Sequence, residues 1–217
     1  ELDNDLSGIY LEHEIGAEKT ASIHADVGVA VEDNVLTVLW EDDGSGPSPY
    51  AAIEIDNEIY GWSNNNVITP GPMVMANMTW SVTGNEVTSG FRYGIEVLDL
   101  VELEDGLAST AYTVSWDISG NTLTDVKECG VYYEFARNEE TGGIIEMAVA
   151  VDITENVISL VDGPDNWAGI YLDSCYSTSS WEYWDEQYGN HTFVASVSGN
   201  TISGAEDGLE IYGTLYF

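Results

Sequence analysis

Five short stretches of this chain occur twice, in the same order. Ser7-Gly8-Ile9-Tyr10-Leu11-Glu12 returns as Cys129-Gly130-Val131-Tyr132-Tyr133-Glu134, and Val29-Ala30-Val31 returns as Val149-Ala150-Val151. Asn34-Val35-Leu36 matches Asn156-Val157-Ile158, and Asn77-Met78-Thr79-Trp80 matches Asn190-His191-Thr192-Phe193. Val82-Thr83-Gly84-Asn85 matches Val197-Ser198-Gly199-Asn200, and the offset drifts only from 122 to 113 residues. One such match arises easily by chance; five in order do not, so the fold must repeat itself. We read a tandem duplication, residues 1–108 and 109–217.

The repeated unit is made of strands. In Tyr112-Thr113-Val114-Ser115-Trp116-Asp117-Ile118 the apolar side chains take every second place, as they do at Met78, Trp80 and Val82 and at Leu209 and Ile211. This is the period of half-buried strands, and no segment sustains a helical one. Turn signals separate the strands: Asp43-Gly44, Thr83-Gly84-Asn85, Ser119-Gly120-Asn121, Asp162-Gly163-Pro164 and Ser198-Gly199-Asn200. The expected fold is all-β, an antiparallel sandwich or barrel built from two tandem copies of one β unit. The hairpin expected over 110–124 has no counterpart before the first copy and can belong to either half. If it belongs to the second copy, the first keeps an open sheet edge that another chain can fill. The runs from Leu6 to Tyr10 and from Ser119 to Thr124 resemble pieces of bacterial lipocalin-like secreted domains. They are short, common hairpin sequences and name no family.

Charge narrows the partners. There are 39 acidic and 4 basic residues, a formal balance of −35. Displacing counterions from a nucleic acid needs clustered Lys and Arg, so nucleic acid is excluded, and anionic membrane surfaces are disfavoured. Cations, basic partners and neutral ligands remain. With 44% apolar and 11% aromatic residues this is a folded core under an acidic coat and not a disordered tail. Such a coat repels itself at low salt, which points to a saline, halophile-like setting or to bound calcium. No run of apolar residues is long enough to insert in a membrane. Glu1 reads as a mature N-terminus, and Cys129 and Cys175 read as one disulfide of a secreted protein.

Candidate sites follow from residue type. Glu12 and Glu134 occupy the same place in the two copies and are the weak candidates for an acid–base pair acting on a glycoside. The aromatic residues Trp181, Tyr183 and Trp184, with Tyr60 and Trp62 at a comparable place in the first copy, suit stacking on a sugar ring. Acidic turns offer Asp42, Asp43, Asp162 and Asp165 to calcium, although none follows the EF-hand spacing. Asn77 and Asn190 begin N-x-Thr sequons. Elbow-type serine hydrolases, zincins, dinucleotide enzymes and NTPases lack their motifs. The expectation is a secreted, acidic, non-enzymatic β protein with no cofactor beyond calcium. It would be a subunit of an extracellular surface assembly or filament that self-associates through sheet edges. A glycan-binding module is the alternative and a glycoside hydrolase the third reading.

Overall fold

The computed structural model describes residues 7–18, 21–37, 49–62, 73–88, 90–104, 109–139, 144–161, 166–178 and 191–213. Sixteen strands run through them, and their order in the chain already gives the architecture. The first coil is β1 (Ile9–Glu18), β2 (Ser22–Glu32) and β3 (Val35–Thr37). The second is β4 (Ala51–Trp62), β5 (Met73–Thr83) and β6 (Glu86–Thr88). The third is β7 (Tyr93–Glu104), β8 (Ser109–Ser119) and β9 (Thr122–Val126). The fourth is β10 (Cys129–Glu139), β11 (Ile144–Thr154) and β12 (Val157–Leu160). The fifth is β13 (Ala168–Thr178), β14 (His191–Ser198) and β15 (Thr201–Ser203), and β16 (Asp207–Gly213) opens a sixth. Each strand pairs with the strand three places on, always parallel. The chain therefore winds as a parallel β-helix with three faces, a solenoid in which each coil touches only its neighbours.

The antiparallel sandwich or barrel is thereby corrected: all three sheets are parallel. Period-2 alternation is common to both pairings and does not tell them apart. The turn signals mislead: Thr83-Gly84-Asn85 joins β5 to β6, and Ser119-Gly120-Asn121 joins β8 to β9, strands that lie in different sheets. They are corners, so the segment over 110–124 is no hairpin. Parallel strands need a long crossover between them, and here the rest of each coil supplies it.

The corners explain the repeat. Asn34, Asn85, Asn121, Asn156 and Asn200 stack in one column, each side-chain amide donating to the Oδ1 of the next at 2.9–3.0 Å. The same amide reaches back one coil, as Asn121 Nδ2 does to the Val82 carbonyl and Asn156 Nδ2 to that of Ile118, both at 2.8 Å. The residue before each of these asparagines has a left-handed backbone: Gly84, Gly120 and Gly199, but also Asp33 and Glu155. Three coils separate Asn34 from Asn156, which is the offset of 122 residues seen in the sequence. The matched segments are thus β1 with β10, β2 with β11, β3 with β12 and β5 with β14.

Alternate side chains point into the bore. Ile53, Ile55 and Ile59 come from the first sheet, Trp80, Val82, Trp116 and Ile118 from the second, and Val87, Leu123 and Ile158 from the third. One apolar cluster runs through all five coils. Gly130 sits where a Cβ would meet the Ile158 side chain at 2.4 Å and the Gly169 carbonyl at 2.5 Å, so only glycine lets the third sheet pass into the first.

The disulfide is also corrected. Cys129 pairs with Ala168 and Ala136 with Cys175, so the two cysteines stand seven residues apart along adjacent strands. That is roughly 23 Å at the strand rise, against a limit of about 7 Å for a bridge. Cys129 is a buried free thiol, its Sγ bonded to the Val131 carbonyl at 3.3 Å.

Asn121 lies mid-column and is fully buried. Asn121→Ala should cost about 2–4 kcal/mol by equilibrium urea unfolding, because it strands the backbone and amide groups above and below it. Asn34→Ala, at the column's end, should cost less.

Candidate functional site

The outer faces differ sharply. On the first sheet the register places Tyr10, Glu54, Glu96, Tyr132, Tyr171 and Glu210 in one outward row. The next row is Glu12, Asp56, Leu98, Glu134, Asp173 and Tyr212. On the second sheet a central outward row reads Gly28, Thr79, Ser115, Ala150 and Val194. The third sheet turns Thr37, Thr88 and Thr124 outward, with the exposed Val35 and Val157 beside them. Much of the charge therefore lies along one side of the rod. The sequence suggested an even coat, because it could not say which residues share a face.

Within the acidic face one group is out of the ordinary. Glu96 is only 3% exposed, and its Oε1 accepts a hydrogen bond from the Tyr50 hydroxyl at 2.9 Å. Burial, reinforced by the charges of Glu54 and Asp56, pushes its carboxyl up to about 7 despite that bond. Tyr10, half exposed, donates to Asp56 Oδ2 at 2.9 Å, and the Ser7 hydroxyl donates to Glu54. Arg92 is held by Glu128 through two bonds of 2.7 and 3.0 Å and lies over the rings of Tyr50 and Tyr93.

Beside the acids runs an aromatic ladder. Tyr50 meets Tyr93, Tyr93 meets Tyr132, Tyr132 stacks on Tyr171 at 5.1 Å, and Trp167 closes on Tyr171 at 4.4 Å. Trp167 Nε1 donates to Glu210 at 2.5 Å. The rings spend much of their faces on one another, and the hydroxyls of Tyr50, Tyr132 and Tyr171 donate to Glu96, Glu134 and Asp173.

A second acidic group is internal. Alternation carries Ile95, Val97, Asp99 and Val101 into the bore, and Asn57 shares the level of Asp99 on the neighbouring strand. Asp99 accepts from Asn57 Nδ2 at 2.6 Å, Trp116 Nε1 at 2.6 Å, the Tyr112 hydroxyl at 3.2 Å and the Tyr133 hydroxyl. His13 Nδ1 bonds Asn57 Oδ1 at 3.1 Å. Desolvation outweighs the four donors and pushes the Asp99 carboxyl up to about 6. Enclosed by its donors, Asp99 organises the core and meets no ligand. An acid on the apolar phase of a strand was the sequence signal for it.

The sequence candidates scatter. Glu12 is exposed on β1 and Glu134 half-buried on β10, where Tyr132 donates to it at 2.6 Å. Two strands stand between them, so their backbones are about 14 Å apart, whereas glycosidase carboxyls sit about 5–9.5 Å apart. Tyr60 lies over Gly16 on the next strand, where any Cβ would strike its ring. Asn77 is exposed on β5 and donates to Asp26 at 2.9 Å. Trp181, Tyr183, Trp184, Asp42, Asp43, Asp162, Asp165 and Asn190 lie outside the described residues, as does the Trp62 side chain.

No family model, no curated protein and no solved structure matches the chain.

Asp99 sets a pH dependence. Its folded carboxyl titrates near 6, above the unfolded one near 4. The native state thus holds the proton that the unfolded chain has lost, and stability falls as pH rises through that window, by about 3 kcal/mol from this group. Glu96 adds a loss of the same sign up to about 7. Urea unfolding at stepped pH should show the decline, and Asp99→Asn, which cannot ionise, should flatten it.

Proposed function

We propose that this protein is a non-enzymatic, extracellular structural unit, a rigid solenoid that packs side by side with copies of itself in a surface assembly. The observation that carries this reading is the asymmetry of the faces. The first sheet turns Glu54, Asp56, Glu96, Glu134 and Asp173 outward, while the second carries the neutral row of Gly28, Thr79, Ser115, Ala150 and Val194. Acidic copies approach most cheaply through a broad face with few charges; the third sheet carries fewer still, but its strands are only three to five residues long. That second face is about 35 Å by 20 Å from its strand lengths and spacing, close to the roughly 800 Å² per partner of a standard interface. The short side chains of that central row let two sheets close to about 10 Å there. Asp117 and Asp152, paired one row along, with Asp26, Glu32 and Glu146 elsewhere on the face, make the contact dependent on salt. The contact uses faces, because strands of the inner coils are paired on both sides and only the end coils offer edges. With the disulfide gone, the extracellular placement rests on the acidic balance alone.

Sedimentation velocity tests it. The protein should associate in molar NaCl and dissociate as salt is withdrawn. Ala150→Trp, an exposed change that spoils the flat row, should keep it monomeric, while Glu134→Gln on the opposite side should not. A chain that stays monomeric in high salt at every concentration removes this reading.

The half-exposed rings of Tyr93, Tyr132 and Trp167 among carboxylates favour glycan binding as a second reading. Titration of the intrinsic Trp fluorescence with soluble oligosaccharides should then shift the emission, and an unmoved spectrum across the series discards it.

A further inference from the structure

We infer that Asp56 and Glu96 together hold a hard divalent cation, of the calcium type, on the outer face of the first sheet. This goes beyond the packing role and uses the opposite side of the rod. Two carboxylate oxygens there, Asp56 Oδ1 and Glu96 Oε2, are buried without a hydrogen-bond partner. A buried carboxylate oxygen without a donor is costly, and such groups are compensated by a proton, a cationic partner or a metal. Arg92, whose charge is felt at Glu96, is held by Glu128 through two hydrogen bonds.

The two groups are placed for one ion. β4 and β7 are adjacent, and the register sets Glu54 beside Glu96. Asp56 is then one diagonal step from Glu96, about 8 Å between backbones from the strand rise and spacing, within reach of both side chains. In each group a tyrosine hydroxyl fixes the other oxygen: Tyr10 on Asp56 Oδ2 and Tyr50 on Glu96 Oε1, both at 2.9 Å. Hydroxyls that pin one carboxylate oxygen orient the remaining one, as outer partners of metal ligands do. Glu54, held by Ser7, adds a third negative charge to the field. Among the described residues no three acidic, imidazole or thiol groups converge on a point. The ion therefore rests on two carboxylates, with water completing the six to eight oxygens calcium takes, and belongs to the weak class with Kd on the order of 10⁻⁴–10⁻³ M.

Terbium luminescence reads the site directly, because Tyr10 and Tyr50 stand beside it as sensitisers. Terbium emission excited through tyrosine should saturate with a single tight phase, and calcium should compete it away in the range given above. Glu96→Gln and Asp56→Asn should each weaken binding by more than about tenfold, while Glu146→Gln, an exposed acid on the second sheet, should leave it unchanged. Glu96→Gln keeps the shape of the protonated acid, so its thermal midpoint in EDTA should equal or exceed that of the parent, which separates loss of binding from loss of fold. Equal weakening by Glu96→Gln and Glu146→Gln, or complete displacement by sodium at matched ionic strength, would mean a diffuse counterion cloud and overturn the site.

Discussion

Register is the constraint on which the rest of this molecule depends. A coil of three strands has no partner within itself, so its backbone donors and acceptors must be satisfied by the coils on either side. Among the described residues the ladders show a single shift, between Ile158 and Leu160. The corners keep step too: Asp33 N bonds the Thr83 carbonyl, Gly84 N that of Ser119, and Gly120 N that of Thr154, at 3.0–3.1 Å. A one-residue slip in any coil would turn its apolar side chains outward and also break the asparagine column. The column is thus a lock on phase as well as a source of buried hydrogen bonds.

Once phase is fixed, like falls upon like. Isoleucines stack on isoleucines, Trp80 stacks on Trp116 at 5.0 Å with rings nearly parallel, and tyrosines stack outside the first sheet. The same rule piles acid on acid, where Glu54 meets Glu96. Aromatic stacking is favourable and carboxylate stacking is not, so the acidic face carries electrostatic strain that the core must hold. The strain falls hardest where the face is covered, at Glu96. A proton, a cation or a salty medium each relieves it.

Strand content, alternation and the inward residues could be read from sequence with little error. Ile9, Leu11 and His13 fall on one phase, and Val114, Trp116 and Ile118 on another, as they do in the fold. Topology could not, for a physical reason. An alternating strand followed by Ser-Gly-Asn is locally the same whether the chain reverses or turns a corner; the next strand's partner decides, and it lies a whole coil away. The period was hidden by unequal connections. The asparagine spacings are 51, 36, 35 and 44 residues, so only segments three coils apart stood out. Glycine before asparagine was visible at Gly84-Asn85, Gly120-Asn121 and Gly199-Asn200, whereas Asp33-Asn34 and Glu155-Asn156 hid the other two steps of the column. The acidic group at Glu96 left no local mark, since it is made by register between strands about forty residues apart.

The unequal loading of the faces has an electrical consequence. Each coil places its carboxylates on the same side, so the moments of successive coils add, and the rod acquires a dipole perpendicular to its long axis. An α-helix orients by its ends; this molecule would orient by its flank. Brought near a positively charged surface it should roll about its axis until the first sheet faces inward, leaving the neutral flanks free, all at one azimuth.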